Sequence, residues 1–273
     1  MGRGRVESHY GRAHLAESIL DGLRTAGLDD GPVDPELLAP LDEFHVRGRE
    51  ATTELAELAR IQPGERVLDV GSGLGGPARH LAADFGVEVV GVDLTPEYCT
   101  LAELLTTLEG LADRVTFLHG NALELPFEDG EFDVVWTQHV GMNIPDKPRL
   151  YSELRRVARP GGRLALYDVT AGPGGLVHFP VPWAGTPEIS FLLPPEELRG
   201  HLESGGFEVL EWRDVTGPAV QWFRERVAAT QAGSPPPLGL HLLVGPRAGE
   251  IFGNMVRNLE EGRITLTQTV AAA

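Results

Sequence analysis

Between residues 61 and 168, short apolar runs alternate with stretches whose apolar positions recur at helical spacing. The runs at 66–70, 88–94, 115–118, 132–136 and 163–168 are rich in valine, leucine and phenylalanine, and read as buried strands. The intervening stretches 76–84, 96–109 and 147–158 read as helices. Ala78, Leu81 and Ala82 share one helical face, as do Leu150, Leu154 and Val157. Pro96 falls in a first helical turn, where its missing N–H costs nothing. Such alternation predicts a parallel sheet covered on both faces. Further on, the pattern predicts a helix at 195–203 ended by Gly205-Gly206, a strand at 207–212, helices near 219–230 and 248–260, and a strictly alternating last strand at 263–270.

Turn-rich stretches at 29–40, 170–187 and 233–237 break this pattern. They suggest an amino-terminal helical segment over 1–45, a core over 46–170, an irregular insertion over 171–194 and a carboxyl-terminal part over 195–273. The 273 residues are 42% hydrophobic, enough for a substantial core. With 23 basic and 40 acidic side chains the net charge is −17, which disfavours nucleic acid and anionic lipid as partners. Lys147 is the only lysine, so any anion clamp would use arginine. Cys99 stands alone, excluding an internal disulfide and a multi-cysteine zinc site. No apolar run reaches membrane-spanning length, and no secretory leader is visible after Met1. The expectation is a cytoplasmic protein without a bound metal, monomeric or homodimeric.

The chemistry concentrates at Val67-Leu68-Asp69-Val70-Gly71-Ser72-Gly73-Leu74-Gly75-Gly76, a strand that runs through a glycine-rich turn into a helix. Glycine there lets the backbone approach a ligand at the carboxyl edge of the sheet. Gly71, Gly73 and Gly76 satisfy G-x-G-x-x-G, a pattern shared with dinucleotide-binding oxidoreductases. Asp69 precedes the turn by two residues, and Asp93 ends the next strand, where a carboxylate can grip both hydroxyls of a ribose. Asp93 can also be read as a helix cap ahead of Pro96, although Thr95 is better placed.

Together with the segments 120–133 and 155–163, this string resembles the class I methyltransferases that use S-adenosylmethionine, in particular the small-molecule branch that includes sarcosine, phosphoethanolamine and natural-product enzymes. The resemblance covers roughly 41–215. It implies an α/β, Rossmann-like, seven-stranded and mostly parallel sheet with helices on both faces, an antiparallel last strand, an amino-terminal helical lid and an inserted substrate cap. It also implies transfer of the donor's methyl group to nitrogen, oxygen or carbon of a small acceptor, with S-adenosylhomocysteine as product. Donor contacts carry over to Asp69, Gly71, Ser72, Gly73, Asp93, Leu94, Asn121, Ala122 and Gln138, and to Tyr10, His45 and Gly48 of the segments before the sheet. Asn121 stands where many relatives have an acid.

The catalytic candidate is His139, as base or as an orienting group, at about the place of an acid in relatives. Tyr10, Asn143, His178 and Trp183 are the acceptor-side candidates. The alternatives are a sheet-edge histidine bonded to backbone, and a loop packed on the core through Phe179 and Trp183. At the level of function they are a nicotinamide-dependent oxidoreductase or a donor-binding protein without catalysis.

Overall fold

The computed structural model describes residues 15–27, 33–230 and 238–273, with only the backbone described at 226–230. Seven strands form one sheet: β1 (Arg66–Val70), β2 (Glu88–Asp93), β3 (Val115–His119), β4 (Phe132–Gln138), β5 (Ala158–Ala171), β6 (Glu208–Asp214) and β7 (Ile264–Ala272). Their order is β3-β2-β1-β4-β5-β7-β6. The first five are parallel, and β7 runs antiparallel between β5 and β6. The expected seven-stranded sheet with an antiparallel last strand is what forms.

The strands alternate between two cores, as the pleat requires. Val67, Val134 and Ala165 face a core completed by α3 (Gly48–Leu58), α4 (Gly76–Phe85) and α10 (Ala248–Glu260). Leu68, Val135 and Leu164 face the opposite core, completed by α6 (Lys147–Val157) and α7 (Pro195–Ser204). A one-residue slip of register would exchange these sets, so burial on both faces fixes the pairing.

A third apolar cluster lies over the amino-terminal side. Helices α1 (Leu15–Thr25), α2 (Pro35–Asp42) and α9 (Leu240–Val244) pack through Ile19, Leu38, Leu41 and Leu243 onto Tyr98, Leu101 and Leu105 of α5 (Pro96–Leu108). The covering layer thus combines the amino-terminal helices with a segment between β6 and β7, where the chain also forms α8 (Thr216–Thr230). Among the described residues no helix is long and apolar enough to cross a membrane.

β5 runs longer at both ends than its expected core of 163–168. Antiparallel pairing with β7 extends from Arg163–Ala272 to Ala171–Ile264. That pairing supplies backbone partners to Thr170-Ala171, and Ala273 supplies them to Gly161 and Gly162, although both stretches read as turn in sequence.

Candidate active site

The carboxyl ends of β1, β2 and β4 meet where the sheet order reverses, which is where open α/β sheets hold ligands. The turn after β1 is tied to β2: the Gly71 and Ser72 amides donate to the Val92 carbonyl at 2.7 and 3.2 Å. Gly71 has φ +80°, and a Cβ there would collide with the Val140 side chain. Gly73 has φ +55° and open space where its Cβ would stand. This bare backbone faces a cavity of about 400 Å³.

Asp69 and Asp93 both line that cavity. One oxygen of Asp93 accepts from the Gly73 amide at 2.9 Å, the other from the Thr95 amide at 2.8 Å. The carboxylate is therefore locked in place, and both oxygens keep lone pairs for further donors. Its bond to the Thr95 amide closes a short turn, but Thr95 and not Asp93 occupies the cap position of α5. Asp69 is buried with Oδ2 unpartnered. Burial, and next the charge of Asp93, pushes the Asp69 carboxyl up to about 8. Ser72 Oγ and Gln138 Nε2 are also buried without partners. Orphaned polar atoms of this kind are uncommon in a finished fold and point to a polar ligand. Two acids facing one space, with no lysine or arginine among the described lining residues, call for a cationic one.

Leu94, Asn121, Ala122, Gln138, His139 and Asn143 continue the wall, with His45 and Trp183 opposite from the covering layer and the insertion. The Asn121 side-chain oxygen accepts from the Leu123 amide at 3.1 Å, which fixes the loop but leaves the oxygen one lone pair. The side-chain oxygen of Gln138 accepts from the Trp136 indole at 2.9 Å, leaving its amide group turned elsewhere.

His139 takes a left-handed backbone, φ +55°, directly after β4. Its amide donates to the Tyr167 carbonyl at 2.7 Å, and its ring lies 4.6 Å from that of Tyr167 and 6.0 Å from that of His45. Burial, helped by His45, holds the His139 pKa well below the usual imidazole value, so the ring is neutral. His45 Nε2 contacts the Gly48 carbonyl at 2.9 Å and Thr52 Oγ1 at 3.1 Å, and burial lowers its pKa to about 4.

The turn after His139 is held from behind. Asp168 accepts backbone hydrogen bonds from Gly141 and Met142, while Lys147 Nζ donates to the Gly141 carbonyl. Burial raises Asp168 to about 7 against the pull of Lys147, and lowers Lys147 to about 8. Asp168 is thus a buried support for the turn. Lys147→Met removes the cation facing buried Asp168 and leaves the Gly141 carbonyl with the Ile144 amide alone, and is expected to cost about 1–3 kcal/mol of stability in urea denaturation.

Some expected positions fall elsewhere. Tyr10 lies outside the described residues. Gly48 starts α3 beneath Glu43 and does not reach the cavity wall; its carbonyl instead anchors His45. His178 also lies away from the cavity: Nε2 pairs with Glu261 at 2.9 Å, and its backbone is bracketed by Asn258. Asn143 lines the cavity, but its amide nitrogen donates to the Trp183 and Ile189 carbonyls at 2.8 and 3.0 Å, and so pins the insertion over the site. The sequence reading missed Phe252 and Met255, which enter the wall from α10. Their signal was the amphipathic face of that helix, indistinguishable from core until its position was known.

A model of the methyltransferase domain matches residues 68–166. The 27-O-demethylrifamycin SV methyltransferase of Amycolatopsis mediterranei is 33% identical over 202 residues, 72% of each chain. The chain belongs to the S-adenosylmethionine-dependent methyltransferase family. The chloroplastic tocopherol O-methyltransferase of Arabidopsis thaliana is 44% identical, but only over 102 residues, 37% of this chain and 29% of that one. Among solved structures, the geranyl diphosphate C-methyltransferase of Streptomyces coelicolor A3(2) has the same fold, with a TM-score of 0.70 at 19% identity over 99% of this chain and 97% of that one. In this methyltransferase chain the family match spans β1 to β5, the strands that build the glycine turn, Asp69, Asp93 and His139.

Proposed function

We propose that this methyltransferase transfers a methyl group from S-adenosylmethionine to a small organic acceptor held in the aromatic half of the same cavity. The observation that carries this reading is the pair of carboxylates, buried Asp69 and half-buried Asp93, flanking an open glycine turn with no lysine or arginine among the described lining residues. Asp93 receives the ribose hydroxyls, Asp69 faces the ammonium end, Gly71, Ser72 and Gly73 lie along the amino-acid chain, and Leu94, Asn121 and Ala122 meet the adenine. When bound, the donor supplies a methyl group already activated on a sulfonium. The residues of the chain then align the acceptor in line and exclude water. His139 touches the acceptor, and the covering layer of α1, α2 and α9 acts as the lid.

Related proteins are named for acceptors as unlike as tocopherol, a demethylrifamycin and geranyl diphosphate. The acceptor class therefore has to be read from this cavity. The rifamycin enzyme supports a role in natural-product metabolism.

Isothermal titration with S-adenosylmethionine and with reduced nicotinamide dinucleotide tests the reading. The first is expected to bind and the second not; the reverse would favour an oxidoreductase. Donor binding without release of S-adenosylhomocysteine in any lysate fraction would favour a non-catalytic binder. His139→Ala is expected to lower turnover by roughly 10²–10⁴-fold with little change in donor affinity, if the imidazole takes the acceptor's proton. Equal losses in both would make it a donor contact.

A further inference from the structure

Beyond the carboxylates and the glycine turn, the cavity widens against Phe44, Trp183, Trp222, Phe223, Phe252 and Met255. The charged side chains among its described lining residues are all acids: Asp42, Asp69 and Asp93. Arg79, which pairs with the lining residue Asp42, is fully engaged by Asp42, Glu109 and the Leu74 carbonyl. Its fork therefore offers nothing to a ligand. A phosphate or carboxylate on the acceptor would enter a poorly solvated chamber beside three acids and meet no forked partner.

The polar groups left on the acceptor side are His45, His139 and Asn143, and the Asn143 amide nitrogen already serves the Trp183 and Ile189 carbonyls. Both imidazoles are buried and neutral. A neutral imidazole offers one lone pair, which suits an O–H donor and cannot compensate an anion. His45 Nε2 is taken by the Gly48 carbonyl and Thr52 Oγ1, whereas His139 Nε2 is buried without a partner and is the nitrogen that an acceptor hydroxyl can meet.

We propose that the acceptor is a largely apolar alcohol or phenol that carries no phosphate or carboxylate. The proposal rests on the methyl-transfer reading above. The hydroxyl oxygen forms its bond to the methyl carbon as the sulfur–carbon bond breaks with its electron pair going to sulfur. The hydroxyl proton passes to a ring nitrogen of His139.

The test is equilibrium dialysis of the full chain saturated with sinefungin, an amine analogue of the donor that cannot transfer a methyl. Two probes of one shape are compared: 1-naphthol and 1-naphthyl phosphate. Naphthol is expected to bind roughly tenfold or more tighter than the phosphate. Phe252→Ala is expected to weaken naphthol several-fold and sinefungin much less. If the phosphate binds as well as naphthol, or if neither probe binds, the acceptor class is overturned. If sinefungin itself fails to bind, the methyl-transfer reading falls instead, so the two failures are separable.

Discussion

Replacing Arg79 with methionine is expected to cost the fold about 3–5 kcal/mol, because it leaves two buried acids without their shared cation. Arg79 rises from α4 with its guanidinium fully enclosed. Nη2 donates to Asp42 at the end of α2, Nε to Glu109 after α5 at 3.0 Å, and Nη1 to the Leu74 carbonyl at 2.8 Å. One side chain thereby ties the covering layer, the glycine turn and the helix that follows β2. Burial raises the carboxyls of both Asp42 and Glu109, and Arg79 opposes that rise. Without Arg79 both acids move further toward their protonated forms, so the penalty shrinks at low pH and grows toward neutrality. Urea denaturation at two pH values checks this. The triple variant Arg79→Met, Asp42→Asn, Glu109→Gln removes the charges as well, and is expected to recover part of the loss. If the single variant unfolds as wild type does at neutral pH, the triad contributes nothing and the covering layer is held by its apolar contacts alone.

This triad was not legible in the sequence. In 76–84 the apolar positions Ala78, Leu81 and Ala82 announced a helix and its buried face, and helix and face formed as read. Arg79 sits between them in sequence. A single arginine beside an apolar stripe reads as a solvated edge until Asp42 and Glu109 arrive, 37 positions before and 30 after. The strands were legible for the opposite reason. Burial on both faces leaves a local signature of consecutive valine and leucine, and the glycine turn is a contiguous motif whose backbone need is visible residue by residue. The wall of the acceptor chamber is again non-local. His45, His139, Trp183 and the α10 pair Phe252 and Met255 come from four separate segments, and only the fold says that His178 pairs with Glu261 outside while Trp183, five residues later, faces inward.

The second large effect is a pH dependence of ligand affinity set by Asp69. In the free protein its carboxyl titrates near 8, raised by burial first and by Asp93 second. An unfolded aspartate titrates near 3.9. The folded group thus binds a proton more tightly than the unfolded chain does. The stability it contributes is fully present below the unfolded value and is lost as pH rises through about 8. A ligand ammonium reverses the preference, since it pairs with the ionised carboxylate. At pH 6 the ligand has to displace a proton from Asp69; at pH 8 much less so. The affinity of S-adenosylhomocysteine, measured calorimetrically, is therefore expected to rise by roughly tenfold or more between pH 6 and pH 8, with proton release on the acid side of that range. Asp69→Asn removes the titrating group, flattens the profile and holds affinity near the low-pH level of the wild type. Asp93→Ala acts on both counts. Losing the contacts to the ribose hydroxyls weakens binding by about 1–3 kcal/mol. Removing the neighbouring charge lets Asp69 ionise more easily, so the rise in affinity moves to lower pH. A flat profile in the wild type would mean that Asp69 never faces the ammonium. Unchanged affinity in Asp93→Ala would remove the sugar contact from the site and leave the glycine turn without its ligand.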